Sequence, residues 1–260
     1  MSAFLSVLMS AFASLVGSLA DLLGPLFGTA STAAAIVLFT ALVRLAVHPL
    51  SRAAARGQRE RSRLQPQIAE IRKKYKKKPD EMKKAMMELH AKEKVSPLSG
   101  CLPSLLQMPA FFLLYHVFSS RSIGGDPNSL LTHRLFQAPL GERWHHALAA
   151  GGPFGPQGLV YLGLAAVVTL VATFNYGRIK RQIATSTVTP TTGPDGQPVP
   201  GMGAMKKLMP MMSFATLFSV AFVPLAAALY IVTSTTWTAV ERAFLYRDMP
   251  EQAAATVGVL

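Results

Sequence analysis

Residues 31–50, STAAAIVLFTALVRLAVHPL, limit most tightly what this chain can fold into. At ~1.5 Å rise per residue this run is long enough to cross a bilayer, and it carries a single formal charge, Arg44, roughly four residues past its middle. A guanidinium at mid-helix costs about 2.5–3.5 kcal/mol on insertion scales, so it needs water, a partner or a route to an interface. Two readings stay open. The side chain snorkels toward the nearer headgroups, or it lines a wet cavity within a helical assembly, the usual meaning of a charge at this depth.

The rest of the chain fits a membrane protein: half of its residues are hydrophobic, and the 15% that are charged crowd into a few segments. Further apolar runs occupy 101–118, 158–176 and 208–240, the last interrupted by Pro224, which makes five candidate spans with the first. Of the 26 Lys and Arg, fifteen lie in 51–97 and five in 177–207, against three in 121–157. The positive-inside rule therefore places the two basic segments in the cytoplasm, the N-terminus outside and the C-terminus inside. The net charge of +13 reads as topology signal and attraction to anionic lipid, with no nucleic acid as partner. The expected fold is all-α: a polytopic membrane protein with a five-span helical core.

An N-terminal amphipathic helix (1–28) precedes that core. Phe4, Leu5, Leu8, Phe12, Leu15, Leu19 and Leu22 share one arc of a helical wheel, opposite a drifting row of serines, which suits a helix lying flat on the outer surface. Asp21, Gly24 and Pro25 are expected to end it. No Lys or Arg precedes the run as in a signal peptide, so retention is expected. The core then follows as spans at 29–50, 98–120, 158–177, 207–222 and 223–241. Between them lie a basic cytoplasmic segment (51–97), an outer loop (121–157) and a linker (178–206), and a short tail (242–260) closes the chain. Within 51–97, Leu64, Ile68, Ile71 and Tyr75, then Met82, Met86 and Leu89, repeat at helical spacing around the break Lys78-Pro79-Asp80, Asp80 being a candidate N-cap. That is a helical hairpin.

Chemistry-bearing patterns are sparse. Cys101 is the lone cysteine, which precludes an intramolecular disulfide. His145-His146 lack thiols or carboxylates at ligand spacing and read as polar neighbours of an interfacial anchor, Trp144. No Ser-His-Asp or Gly-rich phosphate pattern occurs, so no catalytic residue, metal or cofactor is expected.

The run Pro97-Leu98-Ser99-Gly100-Cys101-Leu102-Pro103, followed by Gln107-Met108-Pro109, resembles the YidC family of membrane protein insertases. So do Arg44 with His48-Pro49-Leu50, Leu64-Gln65-Pro66, and Leu229-Tyr230 after Pro224. The resemblance implies a hydrophilic groove closed to the outside and open to cytoplasm and lipid, with Arg44 as its positive centre. Thr40, one turn before Arg44, is a candidate groove residue, as are Asn175, Tyr230 and Thr233. Pro103, Gln107 and Pro109 form a bent, partly polar cytoplasmic mouth.

In a protein of this kind the partners are nascent membrane proteins, with the Sec translocon and the ribosome as further candidates, in a bacterial plasma membrane. With too few residues before Ser31 for a large outer domain, the short Gram-positive or actinobacterial form is implied. Where relatives often carry a second aromatic after Leu-Tyr, Ile231 stands here. The linker 186–203 is disordered by composition, and the tail lacks a basic extension. The competing function class is a small-solute transporter or channel with Arg44 as an anion site, for which the expected inverted repeats are not visible.

Overall fold

The computed structural model describes residues 2–75, 78–93, 102–185 and 208–245. It is mostly helical, with α-helices Ser2–Phe27, Ser31–Lys74, Pro79–Lys92, Leu102–Ser119, Trp144–Gly151, Pro156–Thr185, Ala215–Phe222 and Leu225–Leu245. Among the described residues, two helical stretches suffice by length and composition to cross a membrane, Ser6–Gly57 and Pro156–Arg181, and Leu208–Phe222 is a shorter apolar one. The linker 186–203, Cys101 and the tail beyond 245 lie outside the described residues.

Two compact units divide the chain: Met1–Val47, Gln107–Thr173 and Phe214–Val240 form one, and His48–Leu106, Phe174–Ser213 and Glu241–Leu260 the other. The first holds the main apolar core. Val16, Ile36, Val117, Phe118, Leu140 and the run Leu225–Tyr230 are buried in it. Ala226, Ala227 and Ala228 are fully buried, and their small side chains let neighbouring groups approach the backbone of the last helix closely. The first helix joins this core through Met9, Val16 and Ala20, and Phe12 meets Phe39 edge-on with centroids 5.6 Å apart. It runs through Asp21, Gly24 and Pro25, the residues expected to end it, and stops at Phe27 before a 3-10 turn, Gly28–Ala30. Pro25 removes only one amide from the ladder, so the turn continues beyond it.

The segment after Leu102–Ser119 is more ordered than a plain loop. Two antiparallel hairpins pair Ser122–Ile123 with Asp126–Pro127 and Arg134–Leu135 with Ala138–Pro139. Gly124 and Gly125 turn the first with φ of 66° and 101°, conformations that side chains disfavour. Asn128, buried between them, donates from Nδ2 to the carbonyls of Val117 (2.7 Å) and Ser120 (3.0 Å) and accepts from the Leu130 amide (3.2 Å). Substituting alanine leaves these backbone groups unpaired, at about 1–3 kcal/mol for each that stays buried. Asn128→Ala is therefore expected to loosen 121–141 selectively, seen as faster limited proteolysis there with cleavage elsewhere unchanged. His133 pairs with the buried hydroxyl of Thr32, and the carbonyls of Leu140 and Glu142 accept the Ala226 and Leu225 amides, each at 2.9 Å. The first two amides of the last helix thus find partners in this segment.

In the second unit, the helix Ser31–Lys74 continues through Pro49 and Pro66. Leu64 and Ile68 are buried, and Met82, Met86 and Leu89 of the next helix are half-buried. Asp80 does not cap that helix. Lys78 is the N-cap, Pro79 takes the first helical position, and Asp80 and Glu81 occupy the first turn, where negative charge suits the helix dipole. Glu81 accepts a hydrogen bond from Lys78 Nζ at 2.7 Å and holds that ammonium above the usual lysine range.

Candidate functional site

The site begins from a helix that must bury a cation. Arg44 is half-buried, and its Nε donates to the Ser234 hydroxyl at 3.0 Å, with Nη2 engaging the same oxygen. Ser234 is only 3% exposed and stands on the last helix, 190 residues further along the chain. Tyr230, one helical turn earlier, is 1% exposed; its phenol lies within reach of the Ser234 hydroxyl and of the Arg44 charge. Its ring packs against Phe111 and Phe118, with centroids 5.9 Å away in each case. A guanidinium, a hydroxyl and a phenol thus meet between two helices. The hydroxyl supplies the half-buried guanidinium with a neutral acceptor, which offsets part of the cost of taking the charge out of water.

The other predicted residues stand differently. Thr40 is 1% exposed and its hydroxyl donates to the Ile36 carbonyl at 2.7 Å, leaving acceptor capacity only. Thr233 is half-buried and donates to Leu229 O at 2.8 Å. Asn175 falls in the second unit, half-buried. Pro103, Gln107 and Pro109 belong to the helix Leu102–Ser119, and their side chains lie outside the described residues. Ser234 was missed by sequence reasoning. Its signal was available in the one-turn spacing from Tyr230, but it stands among six consecutive Ser, Thr and Trp residues that spacing alone does not rank.

A further set of contacts holds the last turn of this helix in the second unit. His48 Nδ1 lies 2.5 Å from Glu241 Oε1, Arg59 donates to Leu245 O at 3.1 Å, and Arg178 donates to Arg242 O at 3.3 Å. Cationic side chains at a helix C-terminus meet carbonyls without intrahelical partners and the negative end of the dipole. Glu142, whose carbonyl also accepts from Tyr161 Oη at 2.6 Å, places its carboxylate 3.2 Å from His146, so that histidine does have an acidic neighbour. Among the described residues no group of three or more His, Cys, Asp or Glu could hold a metal ion.

A family model described as 60Kd inner membrane protein matches residues 23–252. Among curated proteins, the chain is 46% identical over 84 residues to "Membrane protein insertase YidC" of Clostridium perfringens, covering 32% of this chain and 35% of that one. It is 42% identical over 101 residues to the protein of the same name from Polynucleobacter asymbioticus, covering 38% and 18%. A third, from Geobacter metallireducens, is 42% identical over 81 residues, covering 31% and 15%. The matched stretches thus span about a third or less of these relatives' lengths.

Proposed function

Because the chain belongs to the 60Kd inner membrane protein family, that of the insertase YidC, we propose that it is a membrane protein insertase and chaperone. It takes nascent membrane proteins from the cytoplasm and releases their apolar segments into lipid. Family membership and the two long apolar helices support a bacterial membrane location. In this reading five helices span the bilayer, the N-terminus lies outside and the C-terminus inside, and a hydrophilic groove opens to the cytoplasm with Arg44, Ser234 and Tyr230 on its wall.

The contact between Arg44 and Ser234 carries the proposal, since it keeps a cation half-buried within an apolar helix pair. The costly step of insertion is moving a substrate's polar tail across the hydrocarbon. A wet groove reaching partway shortens the dry distance, and an acidic tail gains a counter-charge on the way. Partitioning of the substrate's ~20 apolar residues into lipid then completes the transfer, so no catalytic residue or cofactor is assigned.

The test is site-specific photo-crosslinking during translation. A photoreactive residue at Thr40, Tyr230 or Ser234 is expected to capture the polar tail of a single-span substrate, while one at Leu170, an exposed position of the helix Pro156–Thr185, captures its apolar segment. Capture of tails and apolar segments alike at both kinds of site would remove the groove from the mechanism. The Sec translocon, the ribosome and anionic lipids are proposed as partners on the same reading.

A further inference from the structure

Trp237 lies on the helix Leu225–Leu245, and at 3.6 residues per turn it shares an arc of about 60° with Tyr230 and Ser234. That arc is the one engaged with Arg44. The indole Nε1 is buried and has no hydrogen-bond partner among the described residues. Its neighbours answer the same demand locally: Thr233, Thr235 and Thr238 each donate to a carbonyl of their own helix at 2.8 Å. An indole has no such outlet. It is a donor only, on a rigid ring too long to turn back on its own backbone. The Thr236 hydroxyl is also without a partner, but it points about 160° away from Ser234 around the helix and belongs to another face. A buried, unpaired donor calls for an explanation, and here it lies on the face that holds the cation.

We propose that the Trp237 N–H is a second recognition group of the groove, donating to backbone carbonyls of the polar tail of an incoming membrane protein. This inference rests on the insertase reading and deepens it by dividing the work between two donors. Arg44 favours negative charge and therefore acidic tails. The indole N–H is uncharged and meets carbonyls that every tail presents, so its contribution does not depend on the tail's charge. Two donors of different kind let one groove serve acidic and neutral polar tails alike.

The test uses the full-length protein in proteoliposomes and a single-span, tryptophan-free substrate whose N-terminal tail carries either Asp or Asn. Trp237→Phe keeps an aromatic ring and removes the donor. It is expected to slow insertion of both tails by the same factor, about three- to tenfold, the worth of one net hydrogen bond. Arg44→Gln is expected to slow only the Asp tail. Trp144→Phe leaves Trp237 as the single indole of the chain, so the resonance Raman band sensitive to indole N–H hydrogen bonding is expected to shift when the Asn-tailed substrate is added. That readout decides the matter if Trp237→Phe fails to fold. Wild-type rates in Trp237→Phe, a loss confined to the Asp tail, or an unmoved band would overturn the inference. If Arg44→Gln also leaves the Asp tail unaffected, the insertase groove itself has failed.

Discussion

Arg44→Ala is expected to reduce insertion of small single-span substrates with acidic tails on the order of 10- to 100-fold, the range set by removing a hydrogen bond between charged groups from a partly dehydrated place. Arg44→Lys keeps the charge but not the planar fork that reaches Ser234 through both Nε and Nη2. It is expected to retain much of the activity if charge is what the substrate reads. Depletion of the native protein with complementation by each variant, scored by protease protection of the substrate, separates the two. An alanine variant as active as the parent across several acidic-tailed substrates is incompatible with a charged groove. Substrates with neutral tails supply the internal control, because their transfer gains nothing from a counter-charge.

The second large effect concerns stability. Tyr230 is among the largest fully buried side chains of the core, with Phe111 and Phe118 against its ring. Truncation to alanine removes that packing and leaves a cavity, at a cost of about 3–5 kcal/mol. Tyr230→Phe retains the ring and gives up only the phenol's place beside Ser234, a loss of about 1 kcal/mol. Denaturant titration of the purified protein in detergent is expected to order the three forms as parent, Phe, Ala, with the second step the larger. Comparable midpoints for Ala and Phe would mean that the rings contribute little and that the polar contact dominates at this position.

Much of this organisation is legible in the residues themselves. A lone charge inside an uninterrupted apolar run identifies Arg44 without any structure, because few environments tolerate it. Hydrophobic runs locate the helices in outline. Their ends are harder: Pro49 and Pro66 look like terminators, yet the helix Ser31–Lys74 passes through both, since each proline forfeits one hydrogen bond and a long helix carries on around it. The opposite happens in 121–141, where a stretch read as loop folds into two hairpins, with the buried amide of Asn128 tying it to the carbonyls of Val117 and Ser120 just before it.

The partner of Arg44 was illegible for a related reason. Hydroxyls in an apolar helix usually turn back onto their own carbonyls, as Thr40, Thr233 and Thr235 do. Only the pairing of two helices distant in sequence determines which one turns outward. Composition marks the helix but does not rank the hydroxyls along it.

The attachment of the last helix at its beginning has a mechanical consequence. Leu225 and Ala226 hang from the carbonyls of Glu142 and Leu140, directly after a two-residue link from the preceding helix. Such a helix is fastened against fraying at its start. Tyr230, Ser234 and Trp237 then stand about 8, 14 and 18 Å along its axis from that anchor. Their heights are therefore set from one fixed mark, and movement in the two-residue link leaves their register unchanged.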